Sequence, residues 1–239
     1  MVDACINNIQ SWLVPTNCLL CETRIDSGQT LCPPCLESLP YNHSVTCHYC
    51  ALPLDNPAST ACGHCQLNPP AWDFVLSAFR YSHPIDKLVQ AMKFREKLDI
   101  AYLLGTLMYS VIKNHYFLQR RSLPELIIPV PLHTSRLRER GFNQALELAR
   151  PLSQHFAIPI DAKNCLRTVA TTPQSLLSGD DRSRNLKNVF HVKQTLSAQH
   201  VVIIDDVMTT GHTIDEITRT LRKSGVQQID VWLCGRTEK

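Results

Sequence analysis

The stretch Val201–Thr213, VVIIDDVMTTGHT, sets four aliphatic residues ahead of two adjacent acids and then threonines around a glycine. Four aliphatic residues in a row read as a strand buried on both faces, as in parallel sheets. Asp205 and Asp206 close that strand at the end where open α/β sheets bind ligands, and paired carboxylates there accept hydrogen bonds from neighbouring sugar hydroxyls. Thr209, Thr210, Gly211, His212 and Thr213 then present hydroxyls and backbone N–H groups just before a helix, which cradles an anion. Acids for a sugar beside donors for a phosphate imply a sugar phosphate. A plainer reading covers Thr213 alone: with Glu216 it makes a T-x-x-E capping box before Ile214, Ile217 and Leu221. That leaves the acids unexplained.

Outward from this stretch, strands and helices alternate. VLSAFRYS (75–82) reads as a strand, and IDKLVQAMKF has Ile85, Leu88, Val89 and Met92 at helical spacing. A second helix is predicted over about 100–116. LIIPVPL is a short aliphatic run, and QALELARPLSQHF is a helix with Leu146, Ala149 and Leu152 on one face. The polar segment 168–188 has no convincing period and reads as loop. TIDEITRTLRKSG is a helix and IDVWLCG a closing strand, in which Trp232 belongs to the core. Such alternation predicts an α/β fold with a largely parallel sheet covered by helices on both faces.

The 239 residues, 44% hydrophobic, suffice for one medium domain and a small one. A formal charge of +3 does not by itself declare a nucleic-acid binder, so local clusters matter more than the total. The first residues hold no basic leader and no long apolar run, which predicts a cytoplasmic protein. In that reducing compartment eleven cysteines point to metal rather than to disulfides.

Eight of these cysteines form four C-x2-C clasps: Cys18 and Cys21, Cys32 and Cys35, Cys47 and Cys50, Cys62 and Cys65. Two clasps complete a tetrahedral thiolate site, so two structural Zn2+ ions are expected. Sequential pairing is the simplest assignment; an interleaved cross-brace satisfies the same spacing. His43, His48 and His64 lie near enough to replace a thiolate. The region looks duplicated, and CLESLP reads as a helix start. Cys5, Cys165 and Cys234 lack partners at metal spacing and read as ordinary buried residues. The paired prolines Pro69 and Pro70 mark the natural cut, giving a zinc-binding module over 1–70 and an α/β domain over 71–239.

Val201–Thr213 resembles the phosphoribosyl pyrophosphate (PRPP) signature of type I phosphoribosyltransferases. The resemblance implies that Asp205 and Asp206 hold the ribose hydroxyls, and that the loop through Val207, Met208, Thr209, Thr210, Gly211, His212 and Thr213 holds the 5′-phosphate, with Mg2+ accompanying PRPP. Upstream, Pro129-Val130-Pro131 leads through Leu132 and His133 into a helix start bearing Arg136, Arg138 and Arg140, residues suited to bidentate phosphate binding.

That segment, PVP followed by R-x-R-x-R-G-F-N-Q-A, resembles the ComF family of competence proteins. IDKLVQAMKFR, the run LRTVATTPQSLLSGDDRSRNLKNVF and the upstream cysteines agree with it over essentially the whole chain. Val169 departs from the pattern, where relatives often carry a basic residue, as does the second cysteine quartet. The resemblance implies a type I phosphoribosyltransferase-like domain with Leu132, His133, Arg136, Arg140 and Asn143 on the pyrophosphate side. It also implies a flexible loop, about Arg167 to Phe190 and including Gln174 and Arg182, that closes over PRPP.

The expected function is that of a competence protein for natural transformation, binding PRPP or a related phosphoribosyl ligand and handling incoming single-stranded DNA. Arg136, Arg138, Arg140, Arg182, Arg184 and Lys187 are the candidate contacts, with Arg120, Arg121 and Arg222 as further basic groups and Phe142, Tyr81 or Trp72 as stacking surfaces. Family association adds a DNA-uptake channel, helicase or recombination-loading partners. The alternative is an active phosphoribosyltransferase acting on a base or other small nucleophile, and a third reading is a PRPP sensor without DNA contact.

Overall fold

The first cysteine quartet sits on a hairpin and a helix start. Strand β1 (Thr16–Asn17) pairs antiparallel with β2 (Arg24–Ile25), and Pro33 opens helix α1 (Pro33–Glu37), where a missing N–H costs nothing. The second quartet repeats this pattern around helix α2 (Gly63–Leu67). Cys18 N–H bonds the Thr23 carbonyl as Cys47 N–H bonds that of Leu52, and Leu19 N–H bonds Thr30 as His48 N–H bonds Thr60. Glu22 and Ala51 occupy the same left-handed turn position, with φ of 61° and 56°. The duplication is thus one of structure as well as spacing.

This computed structural model describes residues 16–26, 28–42, 45–94, 97–169 and 189–238. Its two compact units are Met1–Pro40 and Tyr41–Lys239. The second cysteine quartet therefore belongs with the α/β body, and the change of composition at Pro69-Pro70 falls inside that unit.

The body continues with β3 (Phe74–Arg80), α3 (Ile85–Ala91), α4 (Leu98–Leu118), β4 (Leu126–Pro129), α5 (Thr134–Arg140), α6 (Gln144–Phe156), β5 (Cys165–Arg167), β6 (Phe190–Val192), β7 (His200–Met208), α7 (His212–Lys223) and β8 (Gln228–Arg236). The sheet order is β3-β8-β7-β4, and every pair is parallel. Ile229, Val231 and Leu233 of β8 share a buried cluster with Val201 and Ile203 of β7 and Ile214, Ile217 and Leu221 of α7. Between them in register, Trp232 meets the rings of Tyr116 in α4 and Phe156 in α6. Helices thus cover both faces, and Trp232 is core. Where α4 crosses α6, a Cβ on Gly105 would stand 2.6 Å from the Leu148 carbonyl oxygen, so only glycine permits this approach.

One buried polar network breaks the aliphatic core. Asp230 of β8 accepts from Tyr116 Oη at 2.5 Å and from Arg121 Nη2 at 3.3 Å, and lies 3.1 Å from His200 Nε2. Trp232 Nε1 donates to Tyr116 Oη at 3.0 Å. These bonds lower the cost of burying the network, in which Arg121 Nε is left without a hydrogen-bond partner.

Three sequence expectations change. The buried face of α6 runs through Ala145, Leu148, Ala149 and Leu152, leaving Leu146 half-buried. The polar loop has a stem: β5 and β6 pair antiparallel, joining Arg167 to Phe190. Helix α7 is N-capped by Gly211 at φ 81°, not by Thr213, because the chain enters from a left-handed turn that favours glycine. Cys165 and Cys234 are buried, as expected, while Cys5 lies outside the described residues.

Candidate functional site

Each cysteine quartet closes around one point. The four Sγ atoms of Cys18, Cys21, Cys32 and Cys35 lie within 4.8 Å of one another, and so do those of Cys47, Cys50, Cys62 and Cys65. Pairing is sequential, and among the described residues no histidine joins either cluster. Cys21 and Cys32 Sγ are 3.6 Å apart and Cys50 and Cys62 Sγ 3.8 Å. A tetrahedron with Zn–S bonds of about 2.3 Å has edges of about 3.8 Å, so the donor set fits zinc. Backbone donors support the thiolates: Cys32 N–H reaches Cys18 Sγ at 3.4 Å and Cys62 N–H reaches Cys47 Sγ at 3.3 Å. Burial and the neighbouring Cys47 and Cys62 push the Cys50 thiol up to about 12. A bound dication removes that repulsion. The two clusters suggest two structural zinc ions. His48 instead packs edge-on against Phe74, and His43 lies outside the described residues.

The acid pair lies within the interior strand β7, which runs two residues past it to Met208 where the sequence predicted a strand ending at the acids, because Val207 and Met208 still pair with Gly235 and Arg236 of β8. Burial and the charge of Asp206 hold the Asp205 carboxyl well above the usual carboxylate range, opposed by the Asp206 N–H and by Arg167. The Asp206 N–H donates to Asp205 Oδ1 at 2.9 Å, and the Val207 N–H to Asp206 Oδ1 at the same distance. Below them, Asp205 and residues 207–214 line one concavity. At Gly211 an added Cβ would stand 3.0 Å from Trp72 Cη2, so positive φ and tight space both require glycine.

Two arginines from distant segments flank the acids. Burial and Arg136 lower the Arg140 pKa while Asp206 and Glu139 raise it; burial lowers that of Arg167 while Asp205 raises it. Arg140 closes α5, and Arg167 arrives through a parallel bridge between its strand and His133. His133 N-caps α5, its Nδ1 accepting from Ser135 N–H at 3.3 Å. Asn143 sits just behind: its Nδ2 donates to the Val130 carbonyl at 3.0 Å and its Oδ1 caps α6 through Ala145 N–H. Both ends of that amide serve the backbone turn that carries Leu132. Gln174, Arg182, Arg184 and Lys187 lie outside the described residues.

A basic groove of about 720 Å³ adjoins this site, with Arg136, Arg138 and Arg140 facing Lys93 and Phe94. Phe94 is 69% exposed and was not singled out by periodicity, because it follows the last turn of α3. Two expected stacking surfaces fail: Phe142 and Trp72 are 8% and 6% exposed, both turned into the core. Arg121 and Arg222 are likewise committed, to Asp230 and Asp73.

Residues 9–66 match the double zinc ribbon domain family, and residues 143–234 the phosphoribosyl transferase domain family. The DNA utilization protein YhgH of Salmonella typhi is 36% identical over 229 residues, covering 94% of this chain and 98% of that protein. Competence protein F of Haemophilus influenzae is 36% identical, covering 90% and 94%. The chain belongs to the ComF/YhgH family. Competence protein ComFC of Bacillus subtilis, another ComF/YhgH member, is 24% identical over 87% of this chain and 89% of its own length. A purine phosphoribosyltransferase from Pyrococcus horikoshii Ot3 aligns at 19% identity and a TM-score of 0.35, over 61% of this chain and 86% of that one. Among the described residues of this ComF/YhgH chain, no helix is long and apolar enough to cross a membrane.

Proposed function

We propose that this protein binds PRPP, or a related phosphoribosyl ligand, with Mg2+ at Asp205, Asp206 and Val207–Thr213, and receives single-stranded DNA in the adjoining groove during transformation. The observation that carries the reading is the continuity of the two chemistries. Arg140 belongs both to the surroundings of Asp206 and to the groove lined by Arg136, Arg138, Lys93 and Phe94. The acids suit ribose hydroxyls, the loop at the start of α7 suits a phosphate, and arginines suit a polyanion. Phe94 supplies the apolar face on which a base stacks beside a charged backbone track. The names of the relatives, competence and DNA utilization proteins, agree with a role in handling DNA. A cytoplasmic location and contact with DNA-uptake, helicase or recombination-loading proteins belong to the same proposal.

The test is a titration of zinc-loaded protein with labelled single strands at several salt concentrations, with and without Mg-PRPP. Binding that weakens linearly in log salt supports DNA handling. No binding at any salt sinks it. Phosphoribosyl transfer is the second reading, favoured by Arg140 and Arg167 flanking the acids, where a departing pyrophosphate needs positive charge. Mg-dependent pyrophosphate release in the presence of a nucleophile would establish it.

A further inference from the structure

Arg236, the last residue of β8, is 6% exposed and directs its guanidinium at backbone carbonyls and at Thr237 Oγ1. Its Nε donates to the Cys50 carbonyl at 2.6 Å, and its Nη1 to the carbonyls of Met208 at 2.9 Å and Thr209 at 2.6 Å. Cys50 belongs to the second cysteine quartet, whereas Met208 and Thr209 lead into the phosphate loop. One side chain thus joins a metal knuckle to an anion cradle. A second strut runs parallel to it. Trp72 Nε1 donates to the Tyr49 carbonyl at 2.8 Å, and the far edge of its ring packs under Gly211. The His48 carbonyl accepts from Val75 N–H at 2.8 Å, fixing the same knuckle to β3. Three consecutive carbonyls, of His48, Tyr49 and Cys50, are therefore held by the α/β body.

The chemistry matches this placement. Four thiolates around one Zn2+ leave a net negative charge, and the buried guanidinium of Arg236 stands against that site. A fork of fixed N–H groups also holds the Cys50 carbonyl together with those of Met208 and Thr209, which a flexible ammonium does not do.

We propose that the second quartet, loaded with zinc, sets the geometry of the phosphate loop through Arg236 and Trp72, so that loss of this metal disables ligand binding whereas loss of the first does not. Arg236 is a positioning residue. The proposal rests on the reading that residues 209–213 hold a phosphate.

The experiment uses the full zinc-loaded chain and two probes, ribose 5-phosphate and Mg-PRPP, with hydrogen exchange followed by mass spectrometry over 206–214. Arg236→Lys is expected to keep two zincs and slow exchange in Val201–Ile204. Exchange over 208–213 should nonetheless rise and affinity for ribose 5-phosphate fall, each by about tenfold. Cys47→Ser with Cys50→Ser should reproduce the loop effect, and Cys18→Ser with Cys21→Ser should not. Unchanged loop exchange in Arg236→Lys, or an equal effect from the first quartet, overturns the proposal. Should Arg236→Lys fail to fold, Trp72→Phe, which removes both the N–H on Tyr49 and the ring edge under Gly211, answers the question by the same readouts. If the unaltered protein binds neither probe, the ligand assignment falls, while the exchange comparison still decides whether the knuckle props the loop.

Discussion

Tyr116 Oη donates to Asp230 Oδ2 at 2.5 Å, to a carboxylate with no exposed surface. The same hydroxyl accepts from Trp232, so Tyr116→Phe removes one hydrogen bond to the buried acid and orphans an indole N–H at once. The expected cost is about 1–3 kcal/mol of folding stability, read from the urea midpoint at unchanged slope.

Asp205 makes a pH-dependent prediction. Its folded pKa lies above the unfolded value near 3.9, so the folded state binds the extra proton, and stability falls as pH rises through the window between the two. Asp205→Asn is therefore expected to melt higher than the unaltered apo protein at neutral pH. About 1 kcal/mol would appear as roughly 2–4 °C in a domain of this size. The advantage should vanish at pH values below the unfolded pKa, where both side chains are neutral. Melting curves from acid to neutral pH check this, and Mg-PRPP affinity should drop in the same variant.

Asp206→Asn is expected to weaken Mg-PRPP binding by about tenfold or more through loss of a charged acceptor, with little change in single-strand affinity. Calorimetric titration with each ligand separates the two effects.

Arg138→Ala should do the reverse. It is exposed in the groove, so its loss should lower single-strand affinity uniformly across sequences and reduce the salt slope by about one phosphate contact. Phe94→Ala should cost about 1–3 kcal/mol of the same affinity while leaving that slope unchanged. Fluorescence anisotropy over a salt series reads both.

Chelation gives a direct count. Elemental analysis is expected to find two zincs per chain, one after Cys18→Ser with Cys21→Ser, and one after Cys47→Ser with Cys50→Ser.

The cysteine quartets were legible because their chemistry is local: a C-x2-C clasp announces itself within a few residues, whereas the DD of β7 shows in letters but not the two strand residues that follow it. Gly211 as a cap was not, since T-x-x-E is visible in letters and a left-handed φ is not. Arg236 reads in sequence as a tail residue after the last aliphatic strand; its partners Cys50 and Met208 are 186 and 28 positions away. Trp72 reads as an exposed aromatic after two prolines until the second knuckle covers it. The three-residue strands of the loop stem are too short to show a period. One signal was available and passed over: a lone acid in IDVWLCG, Asp230, cannot sit in a buried strand without partners brought from elsewhere.

The sheet's interior place between β3 and β7 belongs to residues 228–236, far along the chain from the Phe74–Arg80 strand beside them. During synthesis the strands at 74–80 and 200–208 emerge with facing edges unpaired, and they stay so until residues 228–236 leave the ribosome and slot between them. A zinc knuckle can fold as soon as its four cysteines appear; the strand that carries Asp205 and Asp206 must wait for residues 228–236. Any chain halted before residue 228 would carry two open parallel edges, a template for aggregation rather than a partly active protein.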